Sequence, residues 1–285
     1  MDPELFLDVA NYIKEVHHIA YPLFDVAHFA MSCIHVRDDM SPNFLVVSRK
    51  HPLACWISCM LSCFAGYILA NALLGEMPLA PLKDPKEVGL ASLVWYLIFY
   101  SPFDIVYTLC KWFPVKLILS LLKEVQRVHK VHAGVHHTAK MYPHAYLVQV
   151  IIGVVKGAGA GFSKIAERFI RGTWIPTGHE FLQPTFPTKA CAAAALLFVA
   201  EANTTYITAP HSFVYLGVVI FFVYFKFSSM MFSIHDPFMP LENLFCATFM
   251  GGVWDAISRA LMSAREKPAT KVPGVANGDA DKKKL

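Results

Sequence analysis

Charge is scarce in this chain of 285 residues: only 16% are Asp, Glu, Lys or Arg, against 55% hydrophobic residues. That balance excludes an ordinary soluble domain and makes a bilayer the first solvent to consider. A basic leader is also missing, because the opening MDPELFLD is acidic, so no cleavable signal peptide is expected and the first helix should insert uncut. Paired cysteines are missing too. The seven present are odd in number and lie in apolar stretches, which argues against a secreted disulfide framework. Cys55, Cys59 and Cys63 spread over two helical turns, cannot enclose one ion unaided, and read as packing residues. No nucleotide-binding loop, catalytic triad or complete metal site is visible, so neither an enzyme nor a resident metal is expected. The net charge of +4 carries no nucleic-acid motif, which leaves membrane lipid as the anionic partner.

What the chain has instead is long apolar runs. They fall around residues 19–36, 52–74, 88–110, 145–166, 190–209, 213–232 and 240–260, separated by Pro, Gly or charge clusters. The run 52–74 contains no charge, and as a helix it would be about 34 Å long, enough to cross about 30 Å of hydrocarbon. The fold class expected is an all-α membrane protein of seven transmembrane helices, the last of which has an interfacial helix as its alternative. The spacing suggests two inverted triplets and an added helix. The first repeat covers about 12–110, a basic cytosolic connector 111–143, the second repeat 144–233 and the seventh helix 240–262. Residues 1–262 thus form the transmembrane domain, and 263–285 a disordered cytosolic tail.

Orientation follows from Lys and Arg on alternate faces. One face would hold Arg37, Arg49, Lys50, Lys111, Lys116, Lys123, Arg127, Lys130, Lys140 and the basic tail. The other would hold Lys14, Lys83, Lys86, Lys164, Arg168, Arg171 and Lys189. The first face is read as cytosolic, giving a lumenal N-terminus and a cytosolic C-terminus. Lys282 and Lys283, fourth and third from the end, resemble a dibasic retrieval signal for the endoplasmic reticulum, with a solvated lysine cluster as the alternative. The sequon Asn203-Thr204-Thr205 falls within the fifth helix and is expected to be unmodified.

The connector, PVKLILSLLKEVQRVHKVHAGVHHTAK, invites two different functional readings. On a helix Lys123 and Arg127 project from one face, with Lys130 near them, and suit a polyanionic headgroup; the bland alternative is positive-inside charge. Glu124 should orient a neighbour or pair with Lys130. The sequence His132-x-x-x-His136-His137 looks like one box of the membrane di-iron desaturases, but one box cannot hold two irons. Intramembrane charges are the next signal: Asp25, Asp104, Lys156, Glu201, Lys226, and Asp255 with Arg259. Lys156 lies in VVKGAGAG, where Gly157, Gly159 and Gly161 allow a bend or close helix approach. Asp25 and Asp104 each follow a proline. Lys156, Gly157, Gly159, Asp25 and Asp104 are therefore the pore and gating candidates, with structural ion pairs and tight packing as the alternatives.

Over roughly residues 10–260 the chain resembles the trimeric intracellular cation channels. The stretches that carry the likeness are PLFDVAHF, RKHPLACW, CFAGYILANALLGE, LASLVWYLIFYSPFDIVY, PVKLILSLLKEVQRVHK, VVKGAGAG, ERFIRGTWIPTGHEFL and FPTKA. The resemblance implies a homotrimer with one pore per protomer. It implies phosphatidylinositol 4,5-bisphosphate bound near the Lys-Glu-Val segment, with Lys123 and Arg127 matching the lipid-binding pair, and Lys156 matching a residue associated with gating. It also implies potassium as the permeant ion and counter-ion flow alongside calcium-release channels. The membrane would be that of the endoplasmic or sarcoplasmic reticulum, with the nuclear membrane as a further address. A secondary carrier remains open because inverted repeats build carriers as well, and so does a lipid-binding scaffold that conducts nothing.

Overall fold

The computed structural model describes residues 21–40, 44–173, 180, 183–205, 207–232, 236–249 and 254–259. Among these, every regular element is a helix. The chain divides into two units, residues 1–236 and 237–285. In the first, α1 spans Tyr21–Met40, α2 Phe44–Lys50, α3 Pro52–Leu74, α4 Pro85–Tyr100, α5 Ile105–Lys111, α6 Phe113–Met141, α7 Tyr146–Phe162, α8 Lys164–Ile170, α9 Phe186–Asn203 and α10 His211–Phe232. The second contains α11, Met239–Phe249.

Local chemistry sets the boundaries. α3 starts on Pro52, whose missing N–H falls where a helix leaves its donors unused. It ends at Gly75, whose φ of 75° is the left-handed turn that closes helices. α4 is capped by Asp84, which accepts from the Lys86 amide at 2.9 Å. Three helical segments are long and apolar enough to cross a membrane, Pro52–Leu74, Tyr146–Ile170 and His211–Phe232, and α4 with its continuation to Lys111 adds a fourth if that bent pair is one span.

The bend is 92°. Pro102 cannot donate to the preceding turn, and Phe103 and Asp104 take left-handed φ values of 53° and 56°, unfavourable for residues bearing a Cβ. Arg37 of α1 holds the corner. Its guanidinium donates to Asp104 Oδ2 at 2.6 Å and to the Ile98 carbonyl, and lies over the Phe44 and Tyr107 rings at 4.0 and 3.8 Å. Asp104, a pore candidate, is thus part of a structural clamp. Arg37→Met is expected to lower stability by about 2 kcal/mol, near one charge-assisted hydrogen bond, because half-exposed Asp104 regains water. Thermal unfolding in detergent measures this, and an unchanged midpoint removes the clamp.

Most of the expected connector is helical. Residues 113–141 form one helix about 43 Å long that runs between the others rather than outside them. At its start, Lys111 pairs with Asp38 at 3.1 Å; near its finish, His137 pairs with Glu76, just past α3, at 2.8 Å. The two ends of α6 therefore lie at opposite ends of the bundle. It packs antiparallel to α7, with Gly134 against Gly153 and Arg127 against Gly157. Arg168 and Arg171, placed opposite Arg37 by sequence, both bind Asp39 at 2.7 Å.

Of the expected seventh helix, the described residues include α11, 11 residues and about 16 Å long, and a helical stretch at 254–259, while 250–253 and 260–262 lie outside the described residues. Asn203 is the exposed last residue of α9 rather than an interior one. The tail 263–285, with Lys282 and Lys283, lies outside the described residues.

Candidate functional site

A cavity of about 550 Å³ penetrates the first unit between α1, α3, α6 and α7. Its outer rim includes Asp38, Asp39 and exposed Thr185, at the end of the bundle that carries Arg37; its inner wall includes His28, Gly66, Lys130 and Lys156. Five cationic side chains line it, Lys123, Arg127, Lys130, Lys156 and Lys164, along with four acids, Asp38, Asp39, Glu167 and Glu180.

The acids are largely engaged. Asp39 takes Arg168 and Arg171, Glu167 takes Arg171 at 2.7 Å, and Glu180 accepts from Thr185 and Thr188. The cations differ from one another. Arg127 is spanned by Glu124, at 2.8 Å from Nε and 3.3 Å from Nη2, and also donates to the Gly157 carbonyl at 3.0 Å. Glu124, 3% exposed, therefore partners Arg127, not Lys130. Lys130 Nζ instead meets His28 Nε2 at 2.9 Å, and the same ring nitrogen lies 2.9 Å from the Cys63 carbonyl, so His28 of α1 bridges α6 and α3. Lys123 has no hydrogen-bond partner among the described residues, and its ammonium is available to a guest.

Of the sequence-predicted site residues, the structure brings Lys123, Arg127, Lys156, Gly157 and Gly159 to one cavity and leaves two out. Asp25 is buried and accepts from Gln126; Asp104 belongs to the corner described above. Gly157 and Gly159 are also packing positions. A Cβ on Gly157 would lie 2.8 Å from Cys191 Sγ, and one on Gly159 would collide with the Gly66 backbone. The histidines of the box are spent on other contacts: His132 stacks on His136 at 5.9 Å and packs against His211, Phe198 and Tyr215, and His137 holds Glu76.

Sequence reasoning missed His28, Asp39 and Tyr67. Tyr67 stands beside two ammoniums, Lys130 at 5.3 Å and Lys156 at 5.1 Å from its ring centroid. The only signal for it was an aromatic one position past Gly66 in an uncharged helix, which reads as core. Beyond it, toward the Glu76 end, Ala70 and Leu74 of α3 pack on Ile152 and Val155 of α7. The cavity is thus lined by charge, has its rim at the Asp39 end, and meets this apolar packing beyond its inner wall.

A sequence model of the TRIC channel family matches residues 41–233. The chain is 51% identical over 266 residues to trimeric intracellular cation channel type 1B.2 of Caenorhabditis elegans, covering 93% of this chain and 84% of the relative. It is 50% identical over 281 residues to type 1B.1 of the same organism, covering 98% and 94%. Its fold is similar to the solved structure of a trimeric intracellular cation channel from C. elegans in the absence of Ca2+, with a TM-score of 0.77, 52% identity, and coverage of 83% of this chain and 100% of that one.

Proposed function

Because the chain belongs to the trimeric intracellular cation channel family, we propose that it conducts potassium and related monovalent cations across the endoplasmic or sarcoplasmic reticulum membrane, offsetting charge as calcium leaves or enters the store. The observation that carries this reading is the polar cavity that runs from the Asp39 rim to Lys156 inside an otherwise apolar bundle. Buried charges are expensive in a membrane and are retained where they line an ion path. Purified protein in planar bilayers tests it: unitary current steps down a potassium gradient are expected. A cavity closed at one end also suits a carrier, which would give slow, saturable exchange without unitary steps.

The crossings in this reading are α1, α3, the bent α4–α5 pair, α6, α7, α9 and α10. The inverted triplets are then α1, α3, α4 and α6, α7, α9, with α10 as the seventh. Nine described Lys and Arg lie at the Asp39 end (Arg37, Arg49, Lys50, Lys111, Lys116, Lys164, Arg168, Arg171 and Lys189), against Lys83, Lys86 and Lys140 at the other. That excess supports a cytosolic Asp39 end. An epitope inserted after Gly172 should be accessible once the plasma membrane alone is permeabilised, and one inserted after Gly75 should not. The reverse pattern inverts the assignment.

Phosphatidylinositol 4,5-bisphosphate fits the same site. Lys123 lies ten residues into α6, about 15 Å from its start, so the headgroup would enter through the Asp39 rim rather than rest on the surface. The relatives' name, trimeric intracellular cation channel, supports assembly as a homotrimer. Lys156 would sense voltage, since one elementary charge crossing the whole field gains about 2.3 kcal/mol per 100 mV. Lys156→Ala is expected to flatten the voltage dependence of open probability, and Lys164→Ala, at the rim, to do less. Coincident curves for wild type and Lys156→Ala would remove this role.

A further inference from the structure

We infer that Tyr67 is the gate at the inner end of the cavity, held closed by the ammonium groups of Lys130 and Lys156 and opened when its ring leaves them. This deepens the channel reading above and rests on it.

Three helices meet at this ring. Tyr67 comes from α3, Lys130 from α6 and Lys156 from α7, and the two nitrogens stand 5.3 and 5.1 Å from the ring centroid, within cation–π range. The position coincides with the cavity's limit. Gly66, next to it in sequence, lines the innermost part together with Lys130 and Lys156, and one turn further along α3 the apolar packing of Ala70 on α7 begins. Tyr67 is therefore at the boundary between the polar space and the apolar seal.

The backbone geometry makes the position decisive. Gly66 and Gly159 bring α3 and α7 into direct main-chain contact beside the ring, so the helices cannot approach further, and the ring and the two lysine chains are the parts left to move. A cation arriving from the rim meets two ammoniums fixed across an aromatic face. While they stay there, both charge and bulk oppose its passage. Turning the ring about its Cα–Cβ bond releases both contacts together; Lys130 keeps its contact with His28, and Lys156 is left to move aside. The ring thus couples α6 to α7 in the closed arrangement, and its loss uncouples them.

The attraction depends on the ring face and not on the hydroxyl, and this separates a gate from a packing residue. Single-channel recording in planar bilayers reads the closed-to-open ratio for wild type, Tyr67→Phe, Tyr67→Trp and Tyr67→Leu, each checked beforehand for the wild-type elution profile. Tyr67→Phe is expected to match wild type. Tyr67→Trp, with a stronger face, should lower open probability severalfold. Tyr67→Leu should raise the open-to-closed ratio roughly tenfold, the effect of losing two exposed-to-buried cation–π contacts. Wild-type gating in Tyr67→Leu overturns the proposal, and so does an equal shift in Tyr67→Phe and Tyr67→Leu. Should Tyr67→Leu fail to elute normally, unchanged gating in Tyr67→Trp overturns it instead. A wild type that conducts nothing sinks the channel reading, whereas a conducting wild type with a gating-neutral Tyr67→Leu sinks only the gate.

Discussion

Removing the Lys123 and Arg127 charges together is expected to lower affinity for phosphatidylinositol 4,5-bisphosphate at least about a hundredfold. Each would give a charge-assisted hydrogen bond worth about 1.5–3 kcal/mol, and every 1.4 kcal/mol is a factor of ten. The two contributions should be unequal. Lys123 is already unpartnered in the cavity, whereas Arg127 must share its guanidinium between a phosphate and Glu124. Lys123→Ala alone should therefore take the larger part. Arg127→Ala carries a second effect, because it leaves Glu124 buried without its partner, and a stranded buried charge costs about 3–5 kcal/mol. The informative variant is Lys123→Ala, Glu124→Gln, Arg127→Ala, compared with Glu124→Gln and with a control lacking two tail lysines, Lys283 and Lys284. Lipid retained on purification is the readout. Equal retention in the triple variant and the tail control would leave the pair without a headgroup role.

Adding one methyl group at Gly66 or Gly159 should destabilise the bundle by about 3 kcal/mol, the upper range for overpacking. The methyl on Gly66 would collide with the Lys156 carbonyl, and that on Gly159 with the Gly66 backbone; neither obstacle is a side-chain tip that can swing away. Relief requires moving α3 away from α7 along their whole contact. Gly89 and Gly217 supply the contrast, since a Cβ there meets nothing within 4 Å. Gly89→Ala should be neutral or stabilising by up to about 1 kcal/mol through helix propensity. The two contact glycines touch, so Gly66→Ala with Gly159→Ala should cost less than the sum. Thermal unfolding and monodispersity in detergent decide it, and Gly66→Ala behaving like Gly89→Ala would show that the contact gives way.

Hydropathy made α3 plain, because 23 uncharged residues between a proline and a glycine allow little else. α6 was hidden by the very residues that make it interesting. Lys123, Glu124, Arg127, Lys130 and several histidines lower its hydropathy to that of a surface helix, and their mutual satisfaction inside the bundle cannot be read from spacing alone. Arg127 has Glu124 three residues back, which the sequence displays; Lys130 has His28 from α1, which it does not. The omission then propagated. Reading α6 as a connector placed Arg168 and Arg171 opposite Arg37, whereas both bind Asp39, two residues from Arg37. The basic excess on the Asp39 end is sharper once that is repaired. Asp25 and Asp104 were singled out as intramembrane acids after prolines; Asp25 is buried and Asp104 half-exposed, and each holds helices together, a use that only partner positions reveal.

The depth of the cavity also decides where a membrane potential would fall. Were water to fill the cavity from the Asp39 rim, the bulk potential would reach inward to Lys156, and the voltage would fall across the apolar layer of Ala70, Leu74, Ile152 and Val155 rather than across the full hydrocarbon thickness. The field there would be correspondingly steeper, and a charge displaced by a given distance would exchange more energy with it than the same charge in a uniform slab. Lys156, at the edge of that layer, would need only a side-chain movement to do electrical work that would otherwise require the translation of a helix.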